Sequence, residues 1–280
     1  MNREVFAAVA DALDRGEPAA LVTIVSATGS TPQRIGAKML VFADGRMIGT
    51  IGGGCYENDA FWKAREAIAD RKPRLVHYEL SDDFAQETGL ICGGQMDVYI
   101  EPIEPSPELY VVGAGHVGFH LARLAHDVGF RVHVIDDREK FANSERFPNA
   151  VEIVVDDIPS WIARATIPAH AYAVIVTRGH TNDLEALQAL APREVRYLGL
   201  IGSRAKVARI YDALVADQTP ANLLTRVHAP IGLDIGAVTP QEIAVSILAE
   251  LIAVKHGKFT TRETADLSMK WQPPKLAADR

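Results

Sequence analysis

The sequence predicts an α/β protein in two parts, a small N-terminal α+β domain followed by a doubly wound parallel sheet. Three observations point to it. A proline cluster, EPIEPSPE from Glu101 to Glu108, separates two apolar stretches; an Asp44-Gly45 hairpin signal precedes it; short apolar strands alternate with helical segments after it. Of the 280 residues, 48% are hydrophobic and 23% charged, and the mean hydropathy is +0.03. These values exclude disordered, collagen-like and disulfide-stapled classes. At this length roughly three quarters of the unfolded surface can be buried, so the fold needs no metal or disulfide.

Taken in order, Arg3 to Arg15 reads as a helix and Ala20 to Ser26 as an apolar strand. Lys38 to Phe42 and Arg46 to Thr50 are short strands joined by Asp44-Gly45, a pair expected to take positive φ at both positions. The stretch around Phe61, Trp62 and Ile68 is amphipathic. Three prolines in six residues forbid helix and central strand, which places a linker at 103–108 between a domain at 1–102 and one at 109–258. Strands follow at Leu109 to Val112, Arg131 to Ile135, Glu152 to Val155, Tyr172 to Thr177 and Val195 to Ile201, with a helix ending near Val128 that Gly129 stops. This alternation means βαβ units. The last helix is signed at both ends: Thr239 and Glu242 form a capping box, Pro240 takes the first position, and Lys255, His256 and Gly257 close it. Ile243, Ile247, Leu248, Leu251 and Ile252 form its apolar face. The polar tail, 259–280, is expected on the surface or on a partner subunit.

Charge and cysteine usage narrow the function. With 29 basic against 36 acidic residues the net charge is -7, which argues against nucleic-acid binding. Cys55 and Cys92 are too few for a secreted scaffold and lack zinc-site spacing, so a reducing, cytoplasmic setting is expected. The N-terminus, MNREVFAAVADALDRGE, has no apolar core of a signal peptide, and no stretch reaches the ~20 apolar residues of a membrane span. Among the nine histidines there is no HExxH, and the sequence has no CxxC, GxSxG or Walker loop. A tightly held protein metal is not expected.

Three groups of residues carry chemistry. Gly113, Gly115 and Gly118 follow a strand and open a helix, the pattern of a Rossmann-like nucleotide fold: the first makes the turn, the second admits a phosphate, the third packs helix on strand. Asp136 ends the next strand, where a ribose hydroxyl acceptor belongs, and with Asp137 it is otherwise a solvated strand end or helix cap. His116 stands inside the loop where dehydrogenases more often carry an apolar residue. At later strand ends, Arg178, His180 and Asp183, then Ser203 and Arg204, form a polar rim; Arg178 and Arg204 suit an anion, while the plainer reading is helix capping and surface ion pairs. In the first domain, Gly52, Gly53 and Gly54 form an expected anion-binding nest, followed by Cys55 and Glu57. Cys55 falls near a helix N-terminus, where a thiol becomes nucleophilic or metal-binding. Cys92, Gly93 and Gly94 repeat the cysteine-glycine association.

Together these segments resemble the XdhC/CoxI family, accessory proteins of xanthine dehydrogenase and related molybdenum hydroxylases. The similarity runs in order from about Leu21 to Val254. It rests on SATGSTPQRIGAKMLVFADGRMIGTIGGGCYE and GLICGGQMDVYIEPI, then VVGAGHVG, TRGHTND, LGLIGSRAK and APIGLDIGAVTPQEIAVSILAELI. The resemblance implies a protein that binds the molybdenum cofactor, a molybdopterin, protects it, supports its sulfuration by a cysteine desulfurase, and delivers it to a xanthine dehydrogenase-type hydroxylase. It implies a molybdopterin side at Gly52 to Glu57 and Cys92 to Gly94, and a nucleotide side at Gly113 to Gly118 with Asp136. Cys55 or Cys92 then serves as molybdenum ligand or sulfur relay, with Arg178 or Arg204 balancing the charge of the pterin phosphate. No protein metal beyond the cofactor molybdenum is expected. Two other classes fit the residues: a nucleotide-sensing regulatory protein, and an NAD-dependent oxidoreductase with NAD at the glycine loop. The apolar last helix leads to the expectation of a homodimer.

Overall fold

The computed structural model describes residues 2–79, 94–104, 106–258 and 269. The chain divides into two compact units, 1–106 and 107–280.

The first unit holds an antiparallel sheet in the order β3-β2-β1-β5-β4, from β1 (Ala19–Thr28), β2 (Lys38–Phe42), β3 (Met47–Gly49), β4 (Arg74–Glu79) and β5 (Gln95–Ile103). Alternation sorts its faces: Ala20, Val22 and Ile24 pack with Met96, Val98 and Ile100 beneath helix α2 (Gly54–Asp70), which contributes Ala60, Ala64 and Ala67. Helix α1 (Asn2–Arg15) covers the other face at β2 and β3 through Val5 and Ala12 against Leu40 and Phe42.

Two expectations are corrected here. The hairpin between β2 and β3 forms, but Gly45 alone of the Asp44-Gly45 pair has positive φ, at 93°. The Gly45 amide donates to the Phe42 carbonyl and the Phe42 amide to the Arg46 carbonyl, a longer turn in which one left-handed glycine suffices. Strand β5 also runs on through Glu101 and Pro102, inside the proline cluster. Pro102 pairs with Ala20 of β1, while β4 pairs with β5 only as far as Ile100, so the proline faces a locally open edge.

The second unit is a five-stranded parallel sheet in the order β10-β9-β6-β7-β8, from β6 (Glu108–Val112), β7 (Arg131–Asp136), β8 (Glu152–Val155), β9 (Tyr172–Ile175) and β10 (Tyr197–Leu200). The chain order of these strands reverses at the β6–β9 pair, the switch point where such sheets open a crevice at their carboxyl ends. Helices α3 (His116–Asp127) and α8 (Pro240–Lys255) cover one face through Leu121, Ala125, Ile247 and Leu251. Helices α4 (Ile158–Arg164), α5 (His180–Leu190), α6 (Arg204–Ala216) and α7 (Ala221–Thr225) cover the other around Trp161, Leu187, Ile210 and Leu224. The strands are therefore apolar on both sides, as continuous runs such as Tyr172 to Ile175 require.

Helix α8 begins with the expected capping box: Thr239 Oγ1 accepts from the Glu242 amide, and Glu242 accepts from the Thr239 amide. Its buried side is not purely apolar, because Ser246 and Glu250 are also buried. The Glu250 carboxylate accepts from Tyr197 Oη at 2.9 Å and from the Gly232 amide, and meets His228 Nδ1 at 2.7 Å. Ser246 Oγ donates to the Leu233 carbonyl at 2.6 Å. These contacts fasten loop 229–233 to α8. At Met269 the tail touches this chain's own second unit, its amide donating to the Gly232 carbonyl. No helix among the described residues is long and apolar enough to cross a membrane. Replacing Glu250 with leucine leaves a tyrosyl hydroxyl and an amide buried without an acceptor, and is expected to lower stability by about 3 kcal/mol in urea unfolding.

Candidate functional site

In the first unit the chain enters α2 through three successive glycines in a backbone conformation that side-chain-bearing residues rarely adopt. Gly52, Gly53 and Gly54 have φ of 129°, 77° and 72°. The nest that these glycines form is present, but its donors point to the chain's own carboxylate. Glu57 Oε2 accepts from Thr50 Oγ1, from the Ile51 amide at 2.9 Å and from the Gly53 amide at 3.0 Å. Burial opposes ionisation of Glu57, yet the bonds from Thr50, Gly53, Ile51 and Gly52 outweigh it and hold the carboxyl below its ordinary value. Glu57 is thus the residue that shapes the loop.

What remains open is the outward end. Gly53 caps α2 without a side-chain bond, nothing lies within 4 Å of where its β-carbon would be, and the amides of Gly54 and Cys55 have no partner among the described residues. Cys55 sits in the first turn as a free, half-buried thiol. A β-carbon on Gly52 would strike Pro32, and one on Gly94 would strike the Ser30 and Thr28 carbonyls at 2.5 Å. The loop 29–36 therefore receives both glycine segments. It also carries Arg34, an exposed cation with no partner among the described residues, which motif reading passed over because an isolated arginine has no pattern. Cys92 and Gly93 lie outside the described residues.

In the second unit the three loop glycines divide by role. Gly113, at φ 116°, would clash with the Val176 carbonyl at 2.5 Å, and a β-carbon on Gly118 would overlap the Gly113 carbonyl oxygen. Gly115 has open space before it and starts α3 with no side-chain cap, next to exposed His116. This is the geometry that lets an anion approach a helix N-terminus.

Asp136 does not present itself to that crevice as a free acceptor. It is 2% exposed; Oδ2 accepts from the Ala114 amide at 2.7 Å and from Arg138, while Oδ1 accepts from Arg138 Nε and from the Arg138 amide. Burial raises its pKa, but the Arg138 fork and the Ala114 amide together lower it below the ordinary aspartate value. The role expected of a ribose hydroxyl is taken by Arg138.

The rim residues separate in the same way. Arg178 is exposed and lies 3.8 Å from Asp137, and exposed His180 opens α5 after Gly179. Asp183 is fully buried; it accepts from Thr177 Oγ1 at 2.5 Å and pairs with Lys206 Nζ, so it ties α5 to α6 and does not face the crevice. Burial pushes its pKa up against the pull of Lys206 and Thr177. Lys206 is the partner that sequence reading did not single out. Ser203 caps α6 by accepting from the Lys206 amide, and with Arg204 it edges a cleft at the end of β10.

Known proteins match both units. The sequence matches the XdhC Rossmann domain over residues 109–251 and the XdhC and CoxI family over residues 12–79. The chain belongs to the XdhC and CoxI family. It is 37% identical over 254 residues to the uncharacterised protein YqeB of Escherichia coli, covering 90% of this chain and 46% of that longer relative. It is 27% identical to a protein of Bacillus subtilis named as a probable subunit of xanthine dehydrogenase, covering 87% and 95% of the two chains. It is 25% identical to the molybdenum cofactor insertion chaperone PaoD of Escherichia coli, covering 91% and 89%. The crystal structure of a xanthine dehydrogenase from Bacillus halodurans shares the fold with a TM-score of 0.50 at 24% identity, covering 94% of this chain and 98% of that one.

The depressed Glu57 carboxyl has a stability consequence with a definite sign. Its contribution is present above the ordinary value of 4.5 and is lost as pH falls below that through the lowered folded value. Glu57→Gln is expected to cost about 1–2 kcal/mol at pH 7, and the gap to the parent protein should narrow below pH 4.5. Denaturant titrations of both proteins across pH check this.

Proposed function

We propose that this chain is an accessory protein that binds the molybdenum cofactor as cargo, protects it, and passes it to a xanthine dehydrogenase-type molybdenum hydroxylase. The observation that carries the reading is Cys55, a free thiol in the first turn of α2, directly after a backbone that Glu57 holds rigid and that leaves the Gly54 and Cys55 amides outward. Soft thiolate sulfur suits molybdenum, and unpaired amides at a helix N-terminus suit the cargo's anionic groups. Open space before Gly53 lets a planar pterin approach backbone. Arg34, on the loop that packs against Gly52 and Gly94, supplies a cation of opposite sign to those anionic groups. The relative named a molybdenum cofactor insertion chaperone, which aligns along nearly its whole length, supports the same reading.

In this account Cys55 contacts the metal end or relays sulfur from a cysteine desulfurase, while Gly53, Gly54 and Arg34 orient the pterin. An NAD-dependent oxidoreductase draws less support, because Asp136 is engaged by Arg138 and Ala114.

Anaerobic titration with molybdenum cofactor, followed by desalting, pterin fluorescence after oxidation and metal analysis, tests the proposal. The parent protein is expected to retain pterin and molybdenum near one to one. Cys55→Ser should fold with an unchanged melting curve and lose at least tenfold in molybdenum retention. Equal retention by the serine variant would remove the thiol from the account, and no retention by the parent protein would contradict the cargo itself.

A further inference from the structure

One face of the first unit's sheet is only half covered. Alternation along β1, β5 and β4 turns Val22, Val98 and Val76 toward α2. It leaves Thr23, Tyr99 and Leu75 on the opposite side, where they stand in one cross-strand row with Lys38 of β2. Helix α1 packs over β2 and β3 on that side and leaves the β5 and β4 end of it open. A sheet face turned to water normally carries polar residues. Here Leu75 is 69% exposed beside exposed Tyr99.

Helix α1 adds an apolar flank to the same opening. Phe6 and Leu13, seven residues apart and therefore on one side of the helix, are both exposed. Lys38 fixes which side that is: its Nζ lies 5.7 Å from the centre of the Phe6 ring and donates to Thr23 Oγ1 at 3.0 Å, so the flank looks along the row toward Tyr99 and Leu75. The result is an open trough with α1 as its wall and β5 and β4 as its floor. Apolar patches of this kind on a folded unit mark an interaction surface.

Charge is divided across the trough. Glu79, Asp97 and Glu101 lie on the floor strands around Leu75 and Tyr99, with His77 bound to Asp97 at 2.6 Å. Lys38 and exposed Arg3, one turn before Phe6, lie on the wall side. A surface with an apolar, cationic wall and an apolar, acidic floor is complementary to itself: a half-turn about an axis lying in the face along β5 brings the wall of one copy onto the floor of the other. The apolar face of α8, from which a homodimer is expected, does not offer such a contact, because Ile247 and Leu251 are buried against α8's own sheet.

We propose that two copies of this chain associate through this trough, with Phe6 and Leu13 against the partner's Leu75, Tyr99 at the axis, and Arg3 and Lys38 facing the partner's Glu79 and Glu101. The proposal is independent of the cargo reading, which rests on Cys55.

Sedimentation velocity and light scattering of the full chain between about 1 and 100 μM test it. The parent protein should sediment as a dimer, at twice the chain's 30.4 kDa, and dissociate on dilution. Leu75→Arg, Tyr99→Arg and Glu101→Lys, all at exposed positions, should keep the parent's far-ultraviolet dichroism and each raise the dimer dissociation constant at least tenfold. Val245→Arg, on the exposed side of α8, should leave that constant unchanged. A parent protein that stays monomeric throughout, or a dimer that survives Leu75→Arg and Tyr99→Arg, would overturn the proposal, and a dimer broken by Val245→Arg alone would move the contact to α8.

Discussion

A carboxylate supplied by the chain itself holds each loop from which this protein offers its backbone. Glycine-rich turns concentrate amide donors and positive φ, and both are costly unless something collects the donors. Glu57 collects Thr50, Ile51 and Gly53 in the first unit. In the second, Asp136 takes the Ala114 amide, Asp183 takes the Thr177 hydroxyl, and Glu250 takes the Gly232 amide. Buried or half-buried acids of this kind are expensive when unpaired, so each is matched by several donors or by a cation, Arg138 for Asp136 and Lys206 for Asp183.

This arrangement decides where a ligand can sit. Donors already turned inward are not available to it, and what remains among the described residues includes the first-turn amides of α2, α3, α5 and α6, beginning at Gly54, His116, His180 and Arg204. These ends are uncapped by neighbouring side chains or only partly capped, and each is presented by a loop that cannot rearrange cheaply. Preorganised donors of this kind lose little freedom on binding. The inward carboxylates are therefore scaffold, and under the proposed function the outward thiol, amides and arginines are the groups left to contact a ligand.

Much of the fold was legible because it is written in local patterns. The capping box of α8, the glycine stops at Gly129 and Gly257, and the apolar runs of the parallel strands all depend on residues within a few positions of one another. Strand β4 was missed because Arg74 stands at an inward position and Leu75 at an exposed one, which breaks the apolar alternation, and β5, also not read as a strand, runs through Pro102 because of where β4 ends, which no local pattern carries. Glycine loops were legible as places of unusual backbone, and Glu57, Asp136 and Asp183 were picked out as residues of interest. Their direction was not legible, since whether a carboxylate faces a ligand or its own loop depends on contacts such as Asp136 to Ala114, 22 positions apart. Glu250 and Lys206 went unnoticed for the same reason.

The central claim is that Glu57 fills the glycine nest and that cargo meets only the outward amides. Residue-resolved amide hydrogen exchange, with and without bound molybdenum cofactor, tests it most directly. The account predicts that Ile51 and Gly53 are already protected in the free protein and change little, while Gly54 and Cys55 become protected on binding. Rapid exchange at Ile51 and Gly53 in the free protein, with protection appearing there only when the cofactor is added, would contradict it and assign the nest to the ligand.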